Sequence, residues 1–347
     1  MYNSLREVAE VMRKGRISIV TPVYNGDKTL ERTINSVISQ NYTDFEYIIV
    51  DGNSNDNTEL VVRKYNKYIS NYIREEDSGI YEAINKGISA TTGEIIGIIN
   101  CDDWYEPNIF GLVSDLFENE KVELVYGNLN LVEENSVLLL KPNMLSRFCI
   151  EMVNFHPSSF VRRNLYEKIG CYSTDYKLAS DYDFFLKCYL NHSRFKYTDN
   201  VLANFSLGGL STVKRDLCIS ETHSIVKKYI DDEILLLCFK EYLYKRITVY
   251  GAGFWGDCIV NKLTKLYTKD IIWVDSDESK QGIIKYNLEI QGPRIIEADR
   301  QLLIGVYDGE KIRADYEARG LKVVTVKELL NRYMDNLYEA YCQSISQ

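Results

Sequence analysis

Residues 16–58, RISIVTPVYNGDKTLERTINSVISQNYTDFEYIIVDGNSNDNT, contain two short apolar runs separated by one helical segment. The runs are RISIVTPVY and FEYIIVD, and both are rich in β-branched residues. The segment between them carries Leu30, Ile34, Val37 and Ile38 at helical spacing, so these side chains share one helix face. A strand, a helix and a second strand in this order predict an α/β fold with a largely parallel sheet.

The same alternation continues along the chain. TELVVRKYNKYI and GIYEAINKGISAT have helical spacing, whereas NYIREEDSG and GEIIGIIN are typical of strands. Residues 122–141 predict two strands joined by a turn, and the stretch from about 213 to 243 predicts helices. We therefore predict one large α/β domain over residues 16–240, preceded by an N-terminal helical extension over residues 1–15.

A second α/β unit is predicted over residues 241–347. RITVYGAGFWGDCIVNKLTK predicts a strand, a glycine turn and a helix, followed by the strand DIIWVDSD. Gly251, Gly253 and Gly256 have the G-x-G-x-x-G spacing of phosphate-binding turns, and Asp275 ends the next strand. The pattern predicts a small Rossmann-like domain, with these four residues as a possible second nucleotide site.

Composition excludes several classes of function. The chain has 347 residues, a formal net charge of -9 and a pI of about 5.1, which argues against binding nucleic acid through bulk charge. Its eight cysteines show no C-x-x-C pair, so we expect reduced thiols and a cytoplasmic protein. The sequence contains no signal-peptide pattern and no apolar stretch of membrane-spanning length. Peripheral association with the inner face of a membrane stays open.

Acidic residues fall where predicted strands end. Asp51 ends the second strand, Asp77 follows the third, and Asp102 and Asp103 follow the fourth. Ligands of open α/β sheets bind at these carboxyl ends. Two adjacent carboxylates repel unless a cation lies beside them, and Mg²⁺ or Mn²⁺ bound to a diphosphate would satisfy both charges. The alternative is a solvated turn.

Three blocks of the sequence carry a family resemblance: residues 17–58, DSGIYEAINKGISATTGEIIGIINCDD, and ASDYDFFLK. In this order and spacing they resemble family-two glycosyltransferases of the GT-A fold. The resemblance implies a GT-A nucleotide-sugar-binding domain with a mixed, mainly parallel sheet. It also implies an inverting, Mn²⁺- or Mg²⁺-dependent transferase that moves sugar from a nucleotide-diphosphate donor, with a UDP-sugar favoured. The implied acceptor is a saccharide or lipid-linked saccharide of bacterial surface polysaccharide synthesis.

The resemblance also implies roles for individual residues. Asp181 matches the catalytic carboxylate, although Ser180 stands where relatives carry glutamate, so Asp183 stays an alternative base. Asp102 and Asp103 match a D-x-D-type motif, the first meeting the ribose and the last holding the metal, and both are candidate metal ligands. The implied donor-binding residues are Thr21, Pro22, Tyr24, Asp51, Gly79, Tyr81 and His156.

Four further residues are open between a role in the site and a structural role. Lys86 and Arg74 are candidate phosphate contacts, but a lysine before a helix-ending glycine is also ordinary capping chemistry. His223 is a candidate third metal ligand or a structural helix residue. Trp104 is a candidate platform for a sugar ring.

Two other classes of function compete with glycosyl transfer. One is a nucleotide-sugar oxidoreductase centred on the glycine turn of the second unit. The other is a non-catalytic nucleotide-sugar-binding protein that keeps the pocket without turnover.

Overall fold

The computed structural model describes residues 15–133, 136–149, 151–209, 214–229, 242, 245–265, 270–306 and 309–331. The chain divides into two compact units between residues 222 and 223. The predicted boundary at 240 and residues 1–14 of the predicted extension lie outside the described residues, so the domain limits stay predictions.

The first unit alternates strands and helices as the sequence predicts. Its strands are β1 (Ile17–Val23), β2 (Phe45–Asp51), β3 (Asn71–Arg74), β4 (Ile95–Ile98), β5 (Trp104–Tyr105), β6 (Leu124–Glu133), β7 (Ser136–Leu140), β8 (Ser159–Arg162) and β9 (Phe195–Ser206). Its helices are α1 (Leu30–Ile38), α2 (Thr58–Lys64), α3 (Ile80–Ala90), α4 (Ile109–Leu116), α5 (Arg163–Ile169) and α6 (Ser180–Leu190). Helix α7 (Arg215–Tyr229) follows and crosses the division between the units.

One mixed sheet organises this unit, in the order β3-β2-β1-β4-β8-β6-β9-β5, with β7 paired to β6. Strands β3, β2, β1 and β4 are mutually parallel, and β8 runs antiparallel to both β4 and β6. The parallel strands therefore end at one edge, which gathers the loops that follow β1, β2 and β4. This architecture confirms the predicted fold class.

Buried apolar residues explain the packing of the first helix. Every residue of β1 is buried, and α1 buries Leu30, Thr33, Ile34 and Val37. Ile38, predicted on the same face, is only partly buried at the edge of this core.

Helix α3 packs unusually close to the sheet, and Gly87 makes this possible. A Cβ atom at residue 87 would lie 2.3 Å from Cγ1 of Val20 on β1. Only glycine lets the helix backbone approach this closely. The close contact fixes the first turn of α3, which begins after Gly79, at the edge where β1 ends.

The second unit contains another sheet. Its elements are β10 (Ile247–Tyr250), α8 (Phe254–Lys265), β11 (Ile271–Val274), β12 (Ile284–Lys285), β13 (Leu288–Gln291), β14 (Gln301–Ile304), α9 (Glu310–Glu317) and β15 (Lys322–Thr325). The sheet order is β12-β13-β11-β10-β14-β15, with β10 parallel to β11 and β14. A parallel sheet with a glycine turn after its central strand is compatible with the predicted Rossmann-like domain, which stays a prediction.

No helix in the described ranges combines the length and the apolar character needed to cross a bilayer.

Candidate active site

A cavity of about 620 Å³ opens in the first unit at the carboxyl ends of β1 and β4. The predicted residues on its wall are Pro22, Tyr24, Gly79, Tyr81, Asp102, His156 and Asp181. Thus seven of the residues that the resemblance implied converge on one space, from five separate segments of the chain. The other described lining residues are Val23, Asp77, Ile80, Ile84, Asn100, Cys101, Leu129, Leu131, Leu140, Met152, Asn154, Phe155, Pro157, Lys177, Leu178, Phe205 and Gly209.

The two adjacent acids occupy different environments. Asp102 lines the cavity and is half-buried, and this burial raises its pKa. Asp103 is fully buried, and its Oδ1 accepts a hydrogen bond of 3.0 Å from the backbone N–H of Ser206. Burial, and then the neighbouring Asp102 charge, raise the pKa of Asp103 well above its usual range. Asp102 therefore lines the cavity and Asp103 does not, and which of the two acids holds the metal stays a prediction.

The turn that carries these acids is held by helix α1. The Thr33 hydroxyl donates to the carbonyl oxygens of Cys101 and Asp103, at 3.0 and 2.6 Å. Arg32 donates to the carbonyl of Asp102 at 2.6 Å and lies over the ring of Trp104 at 3.7 Å. The Arg32 guanidinium covers one face of this predicted sugar platform. These contacts fix the Asp102 backbone.

The donor set at this turn fits a divalent cation. Asp102 offers a carboxylate to the cavity, and Asn100 also lines it, with a buried Oδ1 that has no hydrogen-bond partner among the described residues. No three His, Cys, Asp or Glu side chains of the described residues are arranged to hold a metal ion together. Mg²⁺ typically takes one or two carboxylates and completes its shell with water and phosphate oxygens, so these two oxygens suffice.

Asp181 and Asp183 are separated by the geometry of helix α6. Asp181 lines the cavity, and its Oδ1 accepts hydrogen bonds from the Tyr81 hydroxyl at 3.1 Å and the Tyr182 N–H at 2.9 Å. Asp183 is fully buried, and its carboxylate lies 2.5 Å from Nζ of Lys187. Residues two apart on a helix point to nearly opposite sides. The alternative base Asp183 therefore does not line the cavity.

Burial raises the pKa of Asp181, and the nearby His156 partly offsets this rise. His156 lines the same cavity, and burial lowers its pKa. Its Nε2 is buried and has no hydrogen-bond partner among the described residues, while its ring packs edge-on against Tyr172. This nitrogen is available to a ligand in the cavity.

Asp51 supports the cavity without lining it. Its carboxylate is fully buried and accepts hydrogen bonds from the Ser54 N–H at 2.8 Å and the Tyr72 hydroxyl at 2.6 Å. Arg74 lies 3.6 Å from Asp51 and donates to Glu59 at 2.5 Å. Neither side chain lines the cavity, because Asp51 binds Tyr72 on β3 and Arg74 binds Glu59 on α2. Their contacts with the base and the phosphate stay predictions.

Thr21 and Lys86 also bind neighbouring residues and do not line the cavity, so their donor contacts stay predictions. The Thr21 hydroxyl is buried and lies 3.1 Å from the Tyr47 hydroxyl, beneath the cavity. Lys86 donates to the carbonyl of Glu76 at 2.8 Å and forms ion pairs with Glu75 and Glu82 at 3.1 and 3.0 Å. Helix α3 continues to Ala90, so Gly87 does not end it, and the capping role considered for Lys86 is wrong. The contact of Lys86 with phosphate stays a prediction.

Asp77 and Lys177 also line the cavity. The sequence placed Asp77 among the acids at strand ends without a specific role, and it did not single out Lys177. Asp77 accepts a hydrogen bond of 3.0 Å from the Gly79 N–H, and burial raises its pKa. Its position after β3 was a usable signal. Lys177 donates to the Ser78 carbonyl at 3.2 Å, and nothing in its local sequence indicates this placement.

In the second unit, the glycine turn is tightly closed. A Cβ atom at Gly256 would lie 1.7 Å from the carbonyl oxygen of Gly251. The Asp275 carboxylate accepts hydrogen bonds from the N–H groups of Ala252 at 2.5 Å and Asp277 at 2.8 Å. The possible second nucleotide site, which includes Gly253, stays a prediction.

His223 falls in the second unit by this division, where its ring stacks on Phe254 at 4.0 Å. The identity of a third metal ligand also stays a prediction.

Comparisons with known proteins agree on one family. Residues 18–182 match glycosyl transferase family 2. The chain is 30% identical over 210 residues to a PGL/p-HBAD biosynthesis glycosyltransferase of Mycobacterium bovis, which covers 56% of this chain and 78% of the relative. It is 26% identical to an uncharacterized glycosyltransferase of Rickettsia prowazekii, over 64% of this chain and 74% of the relative.

A solved structure shares the fold. S. aureus TarS 1–349 in complex with UDP-GlcNAc superposes with a TM-score of 0.52 at 18% identity, over 64% of this chain and 66% of that chain. This chain thus spans just under two thirds of the TarS structure's length.

The family match covers the segments that carry Asp102 and Asp181 to the cavity. The chain therefore belongs to glycosyl transferase family 2 and is a glycosyltransferase that takes its sugar from a nucleotide-sugar donor.

Proposed function

We propose that this protein is an inverting glycosyltransferase with a divalent metal on the donor diphosphate and Asp181 as general base. The observation that carries the proposal is that Asp102 and Asp181 line the same cavity of about 620 Å³. The donor is a nucleotide-diphosphate sugar, with UDP favoured, and the acceptor is a saccharide or lipid-linked saccharide of bacterial surface polysaccharide synthesis. The cytoplasm, including the inner face of the membrane, is the proposed location.

The donor half of the cavity lies at the end of β1. Pro22 and Tyr24 form its wall there, and the first turn of α3 follows Gly79. Backbone N–H groups at a helix N-terminus attract anions such as phosphate. Lys177 supplies a cation on the same wall. The UDP-GlcNAc bound by TarS supports the choice of a uridine donor, although at 18% identity the likeness establishes the fold alone.

Asp102 and Asn100 would hold the metal, Mn²⁺ or Mg²⁺. When bound, such an ion supplies positive charge that stabilises the departing diphosphate. The Asp102 carboxylate lines the cavity, and burial raises its pKa although the nearby Arg32 charge acts to lower it. A metal-bound donor is therefore a suitable partner for it.

Asp181 removes the proton from the acceptor hydroxyl. The hydroxyl oxygen forms a bond to the anomeric carbon while the bond from that carbon to the diphosphate oxygen breaks, and its electron pair leaves with the nucleoside diphosphate. One displacement of this kind inverts the anomeric configuration. A raised pKa brings Asp181 closer to the range where a general base is effective. His156 Nε2 would orient the acceptor by hydrogen bonding.

The catalytic test compares Asp181→Asn with Asp183→Asn. We expect Asp181→Asn to lower kcat by about 10²- to 10⁴-fold, the usual contribution of a general base, and to keep UDP binding. Asp183→Asn removes a buried charge paired with Lys187, so we expect a change in thermal midpoint with kcat retained. Product formation measures kcat, calorimetric titration with UDP measures donor binding, and thermal unfolding gives the midpoint. Near-wild-type transfer by Asp181→Asn would refute the assignment.

Titration with UDP and Mn²⁺ also distinguishes the roles of the two adjacent acids, Asp102 and Asp103. We expect Asp102→Asn to weaken Mn²⁺-dependent UDP binding by more than about tenfold. Asp103→Asn should retain that binding, because asparagine can still accept the hydrogen bond from the Ser206 N–H. Equal losses in the two variants would contradict the placement of the metal on Asp102.

Two alternatives give different results in these assays. A non-catalytic nucleotide-sugar-binding protein would bind UDP and Mn²⁺ yet release no nucleotide from any donor. A nucleotide-sugar oxidoreductase would bind NAD(P)H at the glycine turn of the second unit, where Asp275 already accepts the Ala252 N–H.

A further inference from the structure

One wall of the cavity is apolar. Leu129 and Leu131 on β6, Leu140 on β7 and Phe205 on β9 line it, together with Met152 and Phe155. The same cavity carries Asp181 and His156. The proposed base therefore shares its space with a hydrocarbon surface that forms no part of the metal and diphosphate chemistry.

Strand register shows that this apolar surface continues beyond the cavity. Leu129 pairs with Leu140, and Leu131 pairs with Leu138 across the antiparallel β6–β7 hairpin. Directly opposed residues place their side chains on the same face of a sheet. Leu138 thus extends the face of the lining leucines, yet 58% of it is exposed.

The neighbouring residue, Leu139, provides a contrast. It pairs with Asn130 and is 47% exposed. Because successive side chains of a strand point to opposite faces, Leu139 lies on the side of the hairpin away from the lining leucines. Leu138 and Leu139 are therefore alike in side chain and similar in exposure, but they lie on opposite faces of the hairpin.

This wall is poorly suited to a free saccharide. Leucine, methionine and phenylalanine side chains offer no hydrogen bonds, so sugar hydroxyls buried against them would lose their bonds to water without replacement. A hydrocarbon gains free energy by leaving water at such a wall, roughly 0.8 kcal/mol for each buried methylene group. Contiguous exposed apolar residues commonly mark a binding surface.

We propose that the acceptor is a lipid, in which a hydrocarbon chain follows the hydroxyl-bearing head group. This inference rests on the proposed function and narrows its acceptor. The head group lies at Asp181 and His156, and the chain runs along Leu129, Leu131 and Leu140 towards Leu138. A chain fits better than a single ring, because the apolar face continues past the cavity onto exposed β7.

The test is calorimetry on the full chain with methyl, phenyl and octyl β-D-glucosides, and with the matching galactosides, below micelle-forming concentrations. We expect the octyl compound to bind at least about tenfold more tightly than the methyl compound of the same sugar, which requires only part of the chain to be buried. Leu138→Ser should reduce this preference by about threefold, whereas Leu139→Ser should leave it unchanged.

Three results would overturn the inference. These are equal binding of methyl and octyl compounds, tighter binding of phenyl than octyl compounds, and equal losses in Leu138→Ser and Leu139→Ser. A parallel titration with UDP and Mn²⁺ tests the proposed function separately. If UDP binds and octyl compounds show no preference, only the lipid acceptor is refuted. If UDP and Mn²⁺ do not bind, the proposed function fails, and the acceptor role of the wall is refuted with it.

Discussion

Burial controls the charge of individual residues in this site. Asp77, Asp102, Asp103 and Asp181 all have raised pKa values, and loss of hydration is the largest cause in each case. Burial likewise raises the pKa of the Cys101 thiol to about 12, so this cysteine on the cavity wall stays protonated. The cavity thus holds carboxylates whose ionisation depends on neighbours and ligands.

The pH dependence of transfer should report Asp181. A base must be ionised, so activity falls as pH falls through the Asp181 pKa, which lies above the ordinary value of 3.8. The Tyr81 hydroxyl lowers this pKa by donating to the carboxylate. Tyr81→Phe should therefore move the acidic limb of kcat to higher pH by roughly 0.5 to 1 unit, the size expected for one hydrogen bond.

A kcat profile between pH 4 and 9 measures this shift. Tyr42→Phe is the control, because the Tyr42 hydroxyl donates to the Gly15 carbonyl and does not contact the site. An unchanged limb in Tyr81→Phe would show that another group governs the profile.

Among the elements, helix α3 joins the core to the cavity. Its glycine at residue 87 meets β1, and its first turn carries Tyr81. Gly87→Ala should destabilise the protein by about 1–3 kcal/mol, as is usual when a methyl group enters a packed core. The displaced first turn should also weaken UDP binding.

The control for this variant is another helical glycine. A Cβ atom at Gly111 in α4 would meet no atom of the described residues within 4 Å beyond its own stretch of helix. Gly111→Ala should therefore stabilise the protein by roughly 0.5–1 kcal/mol through helix propensity. Urea unfolding of both variants gives the two values. Opposite signs are expected, and destabilisation by both would mean that the contact with β1 is not the cause.

Helix α6 receives support from a distant element. Glu221 on α7 accepts backbone hydrogen bonds from Lys177, Leu178 and Ala179, at 2.8, 2.8 and 3.0 Å. These three N–H groups lead directly into the turn that carries Asp181. One side chain therefore fixes the entry to the helix that carries Asp181.

At the scale of the whole molecule, the two units should differ in their response to nucleotides. UDP with Mn²⁺ should slow amide exchange around residues 77–84 and 99–104, up to about 100-fold at a ligand concentration of about 100 Kd. NAD⁺ should leave residues 250–257 unchanged, because the Asp275 carboxylate already accepts the Ala252 N–H. Hydrogen exchange with mass spectrometry on the full chain measures both. Protection of residues 250–257 by NAD⁺ would establish the second nucleotide site.

The sequence by itself determined the alternation of strands and helices, the converging strand ends and the acids placed there. These features are local, because the spacing of apolar residues and the residue types of turns are set within a few positions of the chain. The packing face of α1 and the Asp102–Asp103 pair after β4 both followed from such patterns.

Only the tertiary structure decided which of the neighbouring acids meets the cavity. Asp102 and Asp181 line it, whereas Asp103 bonds to Ser206, 103 residues away, and Asp183 pairs with Lys187. Contacts between residues distant in the chain likewise decide three other features. They bury Asp51 and Thr21, they place Lys177 on the cavity wall, and they build the apolar wall across β6, β7 and β9. The packed fold decides which carboxylates face the cavity and how deeply each is buried. Burial in turn shifts the pKa of each carboxyl group.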